Sequence, residues 1–188
     1  MSDLERAAKP ILAPMLDVAQ PSVLDIASQT IVATWATKTA TLFEYARPIP
    51  GTEHFSGVDR KALMDDLVPP SGVVVWRGRF VGQNNSCDYL AHSLGSPKTR
   101  AQAGLVSTFL IGYLVVQVFA YHLGELGVRD RYRMKVRPGP WSRSLIEVWP
   151  IASPGLTWPP ALAFNAKGVT YLSQRFGTGP GPENGPDS

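Results

Sequence analysis

Residues 104–127, GLVSTFLIGYLVVQVFAYHLGELG, constrain the fold more than any other stretch. It is the most apolar stretch of the chain, so over most of its length neither side belongs in water. A membrane span is one way to satisfy it, since about twenty apolar residues suffice. Gln117 and His122 interrupt the run, however, Ser107 and Thr108 sit within it, and the chain as a whole is near neutral in hydropathy. Val and Ile dominate its middle, which fits a central strand buried on both faces. A buried helix beginning near Leu114 is the alternative for the second half.

A strand buried on both faces needs layers to cover it, and the N-terminal third supplies helices. SDLE at 2–5 is a capping box, in which Ser2 and Glu5 satisfy each other's backbone N–H groups. Leu4, Ala7, Ala8, Ile11 and Leu12 follow at helical spacing, and Pro10 and Pro14 are expected to kink or end that helix. Pro21 or Ser22 opens a second, longer helix with Asp25 in its first turn, closed by Pro48, Pro50 and Gly51. Leu24, Ile31, Trp35, Leu42 and Tyr45 form one apolar stripe on it. Ile26, Ala33, Ala36, Ala40 and Phe43 form another, so the helix should be packed on more than one side. Lys38 falls inside the first stripe, either as a lysine whose ammonium reaches water or as a member of a buried pair or functional site. A short helix spans Ser56 or Gly57 to about Asp66, before Pro69–Pro70.

After PPSG the period changes from helix to strand. GVVVWRGRFVG at 72–82 alternates, with Val74, Trp76 and Phe80 on one face and Val75, Arg77 and Arg79 on the other, a face that reads as wet. Residues 83–100 read as a loop with a short strand at Asp88–Ser93. SLIEVWP, 144–150, is a further strand with Ile146 and Val148 facing away from Leu145, Glu147 and Trp149. SPGLTWPPAL is an extended loop. Residues 165–176 form a last helix with Asn165 as its cap and Gly168 as its weak point. Residues 177–188, rich in Gly and Pro and lacking apolar side chains, are expected to be a disordered tail. Helices, then strands, then one helix define an α+β class: N-terminal helices on a mainly antiparallel sheet, in a single domain over 1–176.

The chemistry of catalysis is thin. His54, His92 and His122 are the three histidines, none spaced as a metal ligand from another. No Cys-x-x-Cys, His-Glu-x-x-His or phosphate-binding glycine loop occurs. Asp65–Asp66 reads as a solvated helix end. Ser107 and Thr108 have no recognisable base, and Cys87 near His92 is only a faint nucleophile–base pair. No catalytic or metal residue and no cofactor is assigned. The lone cysteine, Cys87, excludes an internal disulfide and a thiolate zinc site within this chain, and reads as a free thiol in a reducing cytosol. No charged-then-apolar leader opens the sequence, so the expected location is cytoplasmic, without membrane contact.

The charge is another matter. The net value of +3 is modest, but 129–143 holds six of the eighteen basic residues and one acid. Arg129, Arg131, Arg133, Lys135 and Arg137 stand at every second position. In a strand all five share one face, with Tyr132, Met134 and Val136 on the other. Such a face suits the phosphates of a nucleic-acid backbone, held without reading sequence. It equally suits a solvated sheet face, or an edge strand whose charges block pairing with another sheet.

Several stretches in fixed order resemble a known family. MSDLE, KPILAPML, ATWATKTATLFEY, VVVWRGRF, FLIGYLVVQVF, IEVWP and WPP, from Met1 to about Pro160, are similar to the C-terminal region of bacterial HNH-endonuclease-like proteins, common in actinobacteria. The most distinctive part is Trp-Ala-x-Lys-Thr-Ala, carried by Trp35, Ala36, Lys38, Thr39 and Ala40. The resemblance implies that Met1 corresponds to an internal methionine just after a nuclease module with cysteine-bound zinc and catalytic histidines. None of those residues has a counterpart here, so the nuclease activity is not carried over. Two functions are expected on this basis. One is a non-catalytic domain that binds nucleic acid through the basic strand. The other is a protein–protein interaction module of a nuclease, phage or defence system, with Trp141, Trp149 and Trp158 as anchors.

Overall fold

A computed structural model of the chain describes residues 2–17, 20–46, 48, 53–95, 102–121 and 143–174. The described elements form an α+β fold in which a mainly antiparallel sheet lies between N-terminal helices and a short C-terminal helix. In chain order they are α1 (Asp3–Asp17), β1 (Ser22–Asp25), α2 (Ile26–Ala46), α3 (Gly57–Asp65), β2 (Val73–Gly95), β3 (Gln102–Tyr121), β4 (Leu145–Trp149), β5 (Gly155–Trp158), β6 (Ala163–Phe164) and α4 (Ala166–Gln174). The expected basic strand at 129–137, His122 and the tail at 177–188 lie outside the described residues.

The capping box at the start of α1 is formed: the Ser2 N–H donates to Glu5 Oε2 at 2.8 Å and the Glu5 N–H to Ser2 Oγ at 3.4 Å. Of the two expected effects, kinking or ending the helix, Pro10 and Pro14 do not produce the second: α1 runs through both to Asp17. Its buried stripe of Leu4, Ala8, Leu12 and Met15 offsets the two N–H groups that proline lacks. The second helix starts later than the sequence suggests, because Ser22–Asp25 is a strand paired antiparallel with Gly155–Trp158. Asp25 then acts as the cap, its carboxylate accepting the Ser28 N–H at 2.8 Å. That pairing also corrects the reading of 153–162 as plain loop. On α2, Ala33, Ala36 and Ala40 are fully buried, where small side chains let the helix lie close to the sheet, but Ile26 of the same stripe is exposed and Phe43 only partly buried. Leu42 and Tyr45, from the other stripe, are exposed. A full capping box of Ser56 and Asp59 starts α3.

β3 bears out the strand reading of the apolar run from Gly104 to Tyr121 and excludes a helix over 114–121. The partner strand β2 is continuous rather than a strand, a loop and a short strand, and the two form one long hairpin. This hairpin folds back on itself. Gln117 Nε2 donates to Thr108 Oγ1 at 3.0 Å. Nine residues of straight strand would hold these side chains about 30 Å apart. The corner lies at Gly112, which has φ +57° and packs so tightly that a Cβ there would stand 2.1 Å from the Leu16 carbonyl oxygen. β2 takes the outer lane. From Arg79 to Cys87 it spends eight residues while β3 spends three, from Leu114 to Ile111.

The corner also reverses the alternation, which keeps each face on its own core. Leu105 and Phe109 before it, and Leu114, Val116, Val118 and Ala120 after it, join Ala33, Ala36 and Ala40 of α2 and Met15 of α1. Val106 and Leu110, then Val115 and Phe119, join Trp76, Phe164, Val169 and Leu172 on the side of α4. β4 flanks β2 opposite β3, and β6 adds a short parallel pair at Arg79–Phe80. A register shift in β4 puts Trp149 opposite Val75 and Glu147 opposite Trp76. Trp149 therefore shares the α2 side with Val148 instead of siding with Leu145 and Glu147. Asn165 caps α4 as expected, accepting the Gly168 N–H at 2.7 Å.

Candidate functional site

The five alternating cations, Arg129, Arg131, Arg133, Lys135 and Arg137, fall outside the described residues, but the strands on either side of them are described. The chain leaves β3 on one flank of β2 and enters β4 on the other. Both borders rest on glycines, Gly72 just before β2 and Gly78 within it. The Tyr121 N–H donates to the Gly72 carbonyl at 3.1 Å, and a Cβ on Gly72, which has φ +85°, would come within 2.8 Å of the Tyr121 carbonyl oxygen. At the other border, a Cβ on Gly78 would meet the Ser144 carbonyl oxygen at 2.9 Å and Phe164 Cε2 at 2.6 Å. The Arg143 carbonyl accepts the Leu162 N–H at 3.3 Å. The absence of side chains at these two glycines is what lets the backbones approach.

Trp35, Lys38 and Thr39, from the Trp-Ala-x-Lys-Thr-Ala pattern on α2, have structural partners. Lys38 Nζ donates to Glu5 Oε1 at 2.9 Å and to Ser2 Oγ at 3.2 Å, tying the first turn of α1 to the middle of α2. The lysine is neither a plain solvated cation nor a fully buried one: both partners are partly exposed. Lys38, with the Ser2 N–H, holds the Glu5 carboxyl down at about 2, against an ordinary 4.5. Thr39 Oγ1 donates back to the Trp35 carbonyl at 2.8 Å, and Trp35 packs partly buried against the core.

Two buried polar groups were not singled out by the sequence. Arg77 is 0 % exposed, which overturns the expectation of a wet face on β2. One guanidinium nitrogen donates to the Leu156 and Thr157 carbonyls at 3.3 and 3.1 Å, and the group lies 5.2 Å from the Trp158 ring centroid. Its other terminal nitrogen is 3.9 Å from Met15 Sδ, in the last turn of α1, where the helix dipole favours a cation. Burial pulls its pKa down to about 10. The second group is Glu44, whose carboxylate accepts the N–H groups of His54 at 2.6 Å and Phe55 at 3.2 Å. His54 Nε2 in turn lies 2.8 Å from Ser93 Oγ, near the far end of β2. A glutamate beside Phe43 on an apolar helix was the available signal for Glu44. For Arg77 the only signal was an arginine amid valines and tryptophan.

The remaining candidates separate in space. Cys87 and His92 lie on one uninterrupted stretch of β2 with opposite facing, about 16 Å apart along the strand. The Cys87 thiol is pushed up by burial and by Asp88, away from a reactive thiolate. Ser107 is buried against the Tyr89 hydroxyl, and Thr108 is taken by Gln117. Asp65 pairs with Lys61 on the surface of α3. Among the described residues no three His, Cys, Asp or Glu side chains are grouped to hold a metal, and no helix is long and apolar enough to cross a membrane. Of the expected aromatic anchors, Trp158 is 0 % exposed and Trp149 is partly buried in the core, while Trp141 lies outside the described residues. No protein-family model, no curated protein and no solved structure matches this chain.

Proposed function

We propose that this chain is a non-catalytic domain, similar to the downstream part of HNH-endonuclease-like proteins, that holds a nucleic-acid backbone through Arg129, Arg131, Arg133, Lys135 and Arg137. The observation that carries this reading is the spacing. In an extended strand, alternate residues repeat every 6.6–6.8 Å or so, close to the separation of successive phosphates along one nucleic-acid strand. The concentration of charge supports it: residues 129–143 carry +5, and the rest of the chain sums to −2. Arginine adds forked donors suited to phosphate. The domain in this reading works in the cytoplasm, where its single thiol stays reduced. Anisotropy titrations with labelled single-stranded and duplex oligonucleotides test it. Binding should weaken steeply with salt and vanish when the five cations are changed to Glu; binding that ignores salt, or none, leaves them a solvated face. Plasmid incubated with the pure protein and Mg²⁺ or Mn²⁺ should remain uncut.

A second reading, a protein–protein interaction module serving a separately encoded nuclease, draws on α2. α1 runs antiparallel to α2, with its first turn at Lys38 and its last turn beside Arg77 and β5. Beyond the start of α1, Leu42 and Tyr45 continue the stripe into solvent, 56 % and 81 % exposed. A stoichiometric partner that is retained after reversal of the five cations, but lost with Leu42→Glu and Tyr45→Glu, would favour this reading over the first.

A further inference from the structure

We draw no further inference here: the strongest candidate, the Glu44–His54–Ser93 cluster where the 53–56 turn meets the far end of β2, carries nothing because His54 is 2 % exposed and the shallow depression beside it is lined without Ser93, so nothing in the structure shows what a substrate would touch.

Discussion

Arg77 brings a positive charge into the interior between β2, β5 and the end of α1, and among the described residues no carboxylate pairs with it. Two carbonyls, an aromatic face and a helix C-terminus share the work of solvating it. Arg77→Ala should therefore cost about 3 kcal/mol, because it leaves a cavity and strips donors from the Leu156 and Thr157 carbonyls. Arg77→Met keeps much of the volume and removes the buried charge, so it should cost clearly less; urea unfolding of both variants checks the order. Glu5 offers a pH test on the surface. Its carboxyl is depressed in the folded protein, so its stabilising effect is full above about 4.5 and fades as the pH falls toward 2. The difference in urea midpoint between wild type and Glu5→Gln should shrink over that window and disappear below it.

At the level of elements, the corner of the β2–β3 hairpin decides the architecture, since it brings Thr108 against Gln117 and switches the alternation so that each face of β3 stays on one core. Gly112 is its weak point. Gly112→Ala imposes a side chain on a left-handed residue and drives it into the Leu16 carbonyl, which must move. The expected loss is about 3 kcal/mol, read as a fall in melting temperature. Near-wild-type stability would mean that α1 does not rest on this corner. The apolar run made the strand legible, because only burial on both faces satisfies it. The fold-back was not, since one glycine within a hydrophobic run looks the same in a straight strand. β1 and β5 were hidden for a related reason: each is four residues long, and each owes its structure to pairing across more than 120 positions of sequence. The caps at Ser2 and Asn165 could be read directly because their partners are only three residues away.

At the scale of the whole molecule, the described residues place an apolar core on either side of the curled β3–β2–β4 sheet, and the sequence concentrates positive charge in the connection between the two strands that flank β2. The alternation of the five cations was legible in the sequence because it is local. The clusters around Arg77 and Glu44 depend on distant segments, and no spacing rule announces them. The salt dependence of nucleic-acid binding tests the central claim most directly. With all five cations on a single strand, log K against log salt concentration should fall with a slope of about −3.5, at about −0.7 per phosphate. Replacement of Arg133 alone should make that slope shallower by about 0.7 while weakening binding to all sequences alike. A flat salt profile, or a slope unchanged by removal of Arg133, would contradict the account.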